Sequence, residues 1–278
     1  MADSVATSIT PGTRSRMIQR ALVIAYVAVL VLVPLVVVTW KTFEDGMSAF
    51  WTALSSDQSV TAIKLTAEVS VAAVILNTIF GVGMAILLTR YRFPGRRLLG
   101  ALADLPISVS PIVVGLALLL VYGPNYFFGK QLAGVGISLM FNVPAMIMAT
   151  AFVSLPLILR EIVPVLDEEG IDQEQAARVL GANVWQRFRR IILPTIRPAL
   201  MYGIVLGLAR SIGEFGAVAV VSGNFSGANA TQTMPLAIAE RFNQGVGGYY
   251  PLAFLLIVVT VLAIVLTSIR RKKKVDAQ

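Results

Sequence analysis

The 278-residue chain has no cysteine and no histidine. The first absence excludes disulfides and thiolate chemistry; the second removes the usual general base near neutral pH and, with the first, the usual zinc ligands. Charge is also scarce, at 14% of residues against 56% hydrophobic ones. A soluble globular domain carries about 25% charged residues, and the mean hydropathy here is +0.79. Catalysis would have to rest on a few carboxylates, so the composition points away from an enzyme. What the chain has in abundance is long apolar runs, and these make it an all-α integral membrane protein.

Six runs are expected to span: about 21–40, 61–89, 99–122, 138–159, 199–221 and 250–269. The first follows a polar tail, 1–20, that carries Arg14, Arg16 and Arg20. It is too long for a secretory h-region and lacks a small-residue cleavage site, so it is read as an uncleaved span. The net charge of +8 could suggest nucleic acid, but its distribution follows the membrane instead. With both termini cytoplasmic, the inner segments 1–20, 90–97, 160–198 and 270–278 hold 18 of the 23 lysines and arginines. Lys41, Lys64, Lys130 and Arg241 fall outside or at the outer interface, and Arg210 lies in the membrane.

Several local patterns qualify this outline. Gly81 with Ala85, and Gly203 with Gly207, are small-residue steps that let neighbouring helices approach closely. Lys64 and Glu68 form an i,i+4 pair at a solvated helix end. In the third run, ADLPISVSPIVVGLALLLVYG, Pro106 and Pro111 each remove a backbone donor. Irregular backbone at membrane depth persists only against protein or a watery cavity, so either this is a packing kink or Ser108 and Ser110 line a substrate path. The glycine-rich loop 123–136 contains GPNYFFGKQ, which fails as a phosphate loop: the glycine spacing is wrong and Gln131 stands where a hydroxyl would hold magnesium. Asn224-Phe-Ser226 and Asn229-Ala-Thr231 match glycosylation sequons as chance would allow, and the run 270–274 reads as a cytoplasmic stop.

Arg210 and Glu214, in ARSIGEFGAVAVVSG, are expected mid-way along the fifth span, four residues apart on one helix face. Unpaired, either would cost roughly 2.5 to 3.5 kcal/mol on insertion scales, so a partner or a watery cavity is required. Two readings stay open: an ion pair that locks helices, or a site where Arg210 briefly counters an anion while Glu214 limits retention.

The charged insert EEGIDQEQAARVLGANVWQRFRRIILPTIRP, 168–198, organises the rest. Asp172 with Gln175, and Asn183 with Gln186, have N-cap spacing, so two short helices are expected around Gly181, with Pro194 and Pro198 ending the second. Trp185, Phe188 and Ile192 form an apolar stripe turned away from Arg187, Arg189 and Arg190. In isolation this could be a DNA-binding helix-turn-helix, but the long apolar runs on both sides favour a membrane-tethered loop that meets a cytoplasmic protein.

Gln175-Ala176-Ala177, Gly181-Ala182 and Ile191-Ile192-Leu193-Pro194 resemble the EAA loop of membrane permeases of ATP-binding-cassette (ABC) importers. Gln175 stands where that pattern has glutamate, with Glu174 one residue earlier. RSIGEFGAVAVVSG, ADLPISVSPIVVGLALLLVYG and REIVPVLDEEG are similar to the sulfate and molybdate branch of that family, and most to its W-type sulfate/thiosulfate permeases. The resemblance implies a MetI-like six-span fold, with Glu174 to Ala177, Gly181, Ala182, Phe188, Leu193 and Pro194 in an ATPase-coupling loop. It also implies a second, T-type permease, two ATPase subunits that bind the ATP and magnesium, an outer sulfate-binding protein and a bacterial inner membrane. This chain would itself hold no cofactor or metal and bind no nucleic acid. A molybdate or tungstate importer of the same family, and a gradient-driven transporter using Arg210 and Glu214, are the rival readings.

Overall fold

The computed structural model describes the backbone of residues 13–224 and 231–275. Both sequons in part, the start of the N-terminal tail and the side chains of the basic run 270–274 lie outside the described residues.

The chain parts into two units after Trp51. The first holds α1 (Thr13–Phe43) and the start of α2 (Gly46–Ser55). The apolar side chains of α1 are exposed all round, as suits a helix solvated by lipid.

The second unit is a helical bundle built on α3 (Asp57–Arg90). Ser56 caps it by accepting from the Ser59 amide, with Asp57 in its first turn and Arg90 in its last, both charges matched to the helix dipole. A short turn at Gly95 leads to α4 (Arg96–Ser108) and α5 (Pro111–Tyr122), then α6 (Phe127–Gly134). The glycine-rich loop expected at 123–136 therefore contains a helix, and two of its glycines serve packing: a Cβ on Gly129 would strike the Gly123 carbonyl, and one on Gly123 the Leu119 carbonyl.

Next, α7 (Val143–Glu169) starts at an Asn142 cap that accepts from the Ala145 amide at 3.2 Å. It runs through Pro156 and Pro164, ten residues past the expected end of the fourth span. The coupling segment follows as α8 (Asp172–Val179) and α9 (Val184–Arg187), then a π-helical turn over Phe188–Ile192 that runs into α10 (Leu193–Ile212). Pro194 and Pro198 do not end a helix as expected. Pro194 sits at the start of α10, where no intrahelical donor is needed, and the wider π turn bonds the Leu193 amide to the Phe188 carbonyl five residues back. The chain closes with α11 (Gly216–Val221), α12 (Met234–Gln244) and α13 (Tyr249–Val275).

Among the described residues, four helical stretches are long and apolar enough to cross a membrane: Arg20–Phe43, Asp57–Arg90, Val143–Glu169 and Val184–Ile212. The pair α4 and α5 makes a fifth, but the two meet at 115°, not as the merely disturbed span expected from the prolines. The sixth expected span falls on α13, whose described apolar part is the shorter stretch Tyr249–Val265.

Packing centres on α7. One buried cluster joins Val82, Ala85 and Leu88 of α3 to Ile158, Ile162 and Leu166 of α7 and to Ile192 and Ile196. Another joins Leu65 and Val69 of α3 to Met146 and Ala149 of α7 and to Ala217 and Val218 of α11. Both small-residue steps converge on Ile158: a Cβ on Gly81 would lie 3.1 Å from its Cγ2, and one on Gly203 would lie 3.1 Å from its Cα. Between the clusters, Asn77 donates to the Ala151 carbonyl at 2.9 Å and to Ser154 Oγ at 2.8 Å, and Ser211 donates to the same hydroxyl at 3.3 Å. This pins α3, α7 and α10 with polar groups that have no other use in an apolar interior.

Candidate functional site

The coupling segment obeys local rules. Asn183 accepts from the Gln186 amide at 2.8 Å while Gln186 Oε1 accepts from the Asn183 amide at 2.9 Å, a reciprocal capping box. Gly181, at φ +84°, donates to the Arg178 carbonyl, and Ala182 donates to that of Ala177. These are the two bonds of a Schellman turn, which a residue without Cβ closes at little cost. The cap expected from Asp172 does not form: it is the first helical residue, preceded by Ile171, and its side chain caps nothing.

The segment's surface is unusual for a solvated loop. Val179 and Leu180 are 88% and 87% exposed, and Val184 and Trp185 are exposed beside them. Four large apolar side chains thus stand exposed together at the tip of one turn. Trp185 stacks on Phe188 at 5.5 Å, while Phe188, Ile192 and Leu193 pack on the inner cluster. The stripe thus roots the tip in the bundle, and Arg189 and Arg190 stay exposed. Gln175 and Ala176 are exposed, Ala177 and Ala182 half-buried, and Pro194 exposed.

Glu174 behaves otherwise. Instead of facing outward as a substitute for the missing EAA glutamate, its Oε1 accepts from Arg90 Nε at 2.7 Å, and both side chains are nearly buried. No local pattern signals this contact, because the two residues stand 84 positions apart in the chain. The helix-turn-helix alternative is also disfavoured by geometry. Its second helix is the four-residue α9, continuous with a membrane-spanning stretch through Ile212.

The membrane site departs further from expectation. Helix α10 stops at Ile212, and Glu214 lies in the break before α11, not on the same helix as Arg210. The two still meet, with Arg210 Nη1 2.6 Å from Glu214 Oε2 in an ion pair without hydrogen-bond alignment. Glu214 Oε1 accepts from the Ala217 amide at 2.9 Å and so caps α11. Burial differs sharply within the pair: the Glu214 side chain is 2% exposed and that of Arg210 39%. The carboxylate is a structural fixture, and the guanidinium is the accessible member.

The two helix breaks touch. A Cβ on Gly216 would lie 3.1 Å from Pro111 Cβ, and one on Gly115 would lie 2.7 Å from the Ala217 carbonyl. The backbone of α5 therefore packs directly on that of α11, joined through the positions after each break. Ser108 and Ser110 flank the first break and are exposed. The structure brings the α4/α5 and α10/α11 breaks together, while the coupling segment stands apart as a second site.

Comparison with known proteins agrees with this architecture. Residues 77–273 match the family model described as "Binding-protein-dependent transport system inner membrane component". The chain is similar to the sulfate transport system permease protein CysW of Synechocystis sp., 41% identical over 91% of each chain. CysW of Escherichia coli is 41% identical over 86% of this chain and 80% of its own. The CysT permease of Escherichia coli is 39% identical over 79% and 78%. Among solved structures, a chain of a bacterial ABC transporter that imports the acidic polysaccharide alginate aligns with a TM-score of 0.70, at 18% identity over 92% of this chain and 96% of that one. A chain of the MetNI methionine ABC transporter, in inward-facing conformations, aligns with a TM-score of 0.58, at 18% identity over 76% of this chain and 93% of that one. By its all-helical fold and these matches, the chain belongs to the binding-protein-dependent transport-system inner-membrane components, the permeases of ABC importers.

Proposed function

We propose that this chain is one permease half of an ATP-driven importer of sulfate and thiosulfate in a bacterial inner membrane, with both termini cytoplasmic. The substrate rests on the relatives named sulfate permeases. Similarity to both CysW and CysT supports pairing with a second, related but different permease. An alginate transporter solved with its substrate-loaded periplasmic protein offers the pattern for an outer binding protein.

The observation that carries the mechanism is the apolar tip at Val179, Leu180, Val184 and Trp185 on a rigid Schellman turn. It fits an ATPase cleft. ATP binding would draw the ATPase subunits together and move the paired coupling turns, and α10, continuous with the turn through the π segment, would carry that movement to the break at 213–215. Arg210 would then meet the anion in transit from one side of the path, with Ser108 and Ser110 on the neighbouring break. Glu214 keeps the site from being strongly positive, which suits passage better than retention. The gradient-driven alternative needs Glu214 as a proton carrier, yet its Oε1 already caps α11 and its Oε2 lies 2.6 Å from Arg210 Nη1.

The test is Gly181→Asp in cells that depend on the permease. Radiolabelled sulfate uptake and co-purification of the ATPase should both be lost while the protein stays inserted. Survival of both would remove the coupling assignment. Molybdate added at the same concentration as sulfate discriminates the anion: strong competition would favour the molybdate reading. Arg210→Ala should abolish uptake with the ATPase still bound, and unchanged uptake would take Arg210 out of the path.

A further inference from the structure

The coupling segment is held to the bundle very differently at its two ends. On its C-terminal side the chain is continuous helix, with Phe188 and Ile192 packed in the inner cluster. On its N-terminal side α7 and α8 are joined only by Gly170 and Ile171. Gly170 has φ +72°, and a Cβ there would meet nothing within 4 Å. Helix α8 buries no residue of its own. By chain and packing alone, α8 could swing about Gly170 when pushed.

Two side-chain bonds cross that hinge among the described residues. Gln173 donates to Glu169 at 2.7 Å, but both are exposed, and the bond joins α8 only to the frayed end of α7. The other is Arg90. From the last turn of α3 its Nε donates to Glu174 in the first turn of α8, and its Nη1 donates to the Leu166 carbonyl of α7 at 2.8 Å. That carbonyl is among the last four of α7, which lack intrahelical partners, and Glu174 lies where the dipole of α8 favours an anion. One guanidinium at the end of α3 thus ties the end of α7 to the start of α8. The planar fork matters, because an ammonium could not hold both acceptors at fixed angles. Side-chain exposures of 9% for Arg90 and 12% for Glu174 keep water from competing.

We propose that Arg90 is a positioning residue for transport, a clamp that locks α8 to the ends of α3 and α7 so that displacement of the coupling turn drives the bundle instead of bending Gly170. This rests on the coupling role argued above. A push on the tip then reaches the breaks by two routes: through α10 directly, and through α3 and α7, which pack along each other. With the clamp open, the ATPase still docks on the untouched apolar tip and still cycles, but part of each stroke is absorbed at the hinge.

The experiment compares the parent complex with R90Q and E174M, reading bound ATPase subunits, ATP hydrolysis and sulfate uptake in the same proteoliposomes. Both variants should keep their ATPase subunits and near-parental hydrolysis, while sulfate moved per ATP falls about tenfold, within the usual range of coupling between sites. Because the chain has no cysteine, R90C/E174C, built with cysteine-free partner subunits, offers a rescue: closing the pair with a short bis-thiosulfonate should restore transport per ATP, and reduction should abolish it again. If R90Q fails to accumulate in the membrane, E174M decides, since it removes the acceptor while keeping the side chain's length and the Arg90 bond to Leu166. An unchanged ratio of sulfate to ATP in inserted variants overturns the clamp. So does loss of the ATPase from the complex, which would make the pair part of the docking surface. If the parent itself shows no ATP-driven uptake, the importer reading fails first, and the clamp falls with it.

Discussion

The turn at Gly181 and the pair of helix breaks both interrupt the helical chain, yet they are held by different means. The turn is stabilised from within four residues on either side, by the Asn183–Gln186 box and the Schellman bonds at Gly181. The breaks are stabilised from across the bundle, by Gly115 against Ala217 and Gly216 against Pro111. Water can satisfy loose polar groups at the turn, so local geometry suffices there. Against lipid no water is available, and an interrupted helix there must find protein or a watery cavity to complete it. The α10/α11 break does so with the Glu214 carboxylate as the cap of the following helix.

That contrast can be tested from its strongest point to its weakest. Glu214→Ala should be the most damaging change in the membrane region. It removes the cap on Ala217 and empties a nearly fully buried site, so a loss of about 3 kcal/mol is expected, seen as a fall in the detergent melting temperature. A melting temperature close to the parent's would mean that the break is held by backbone packing alone.

Glycine replacements separate space from backbone conformation. Gly115→Ala places a methyl against the backbone of α11 and should cost about 1 to 3 kcal/mol of stability. Gly203→Ala, 3.1 Å from Ile158 Cα, should cost less, and Gly207→Ala, whose nearest contact is at 3.8 Å, should be tolerated. In the turn the order of causes reverses. A Cβ at Gly181 would meet nothing, so Gly181→Ala should strain only the left-handed backbone, by about 1 kcal/mol. Its bundle should melt as the parent does, with the effect confined to ATPase retention. If Gly181→Ala lowered the bundle's melting temperature as much as Gly115→Ala, the distinction between a locally and a globally held region would collapse.

The smallest effect should come from Asn183→Ala. It removes one half of an exposed capping box and should cost about 1 kcal/mol of local stability. Amide exchange over 183–187 should quicken with no change in α3 or α7.

Legibility in the sequence follows the same division. Gly181, Asn183 and Gln186 could be placed on sight because caps and turns depend on residues a few positions apart. Asp172 had the same spacing and failed, since Ile171 takes the cap position and the helix begins one residue later. Pro194 and Pro198 suggested a helix end, but the π turn at Phe188–Ile192 absorbs the interruption, and nothing in the local pattern distinguishes a proline that ends a helix from one that follows a wide turn. Arg210 and Glu214 were found because charge in an apolar run is conspicuous. Their unequal roles were not, because the i,i+4 spacing assumed a helix that stops at Ile212.

By itself, then, the sequence determined the solvent of each segment and the turns closed by short-range bonds: apolar runs long enough to cross a bilayer, positive loops between them, and a glycine turn bearing the EAA-like residues. Those properties depend on composition and near neighbours. Only the tertiary structure decided that two broken helices meet face to face, that Glu214 is buried while Arg210 remains accessible, and that Arg90 reaches Glu174, 84 residues away in the chain. Such contacts join elements whose separation in sequence carries no signal, and they form because an unsatisfied polar group or an open helix end inside the bundle costs more than ordering the residues that close it.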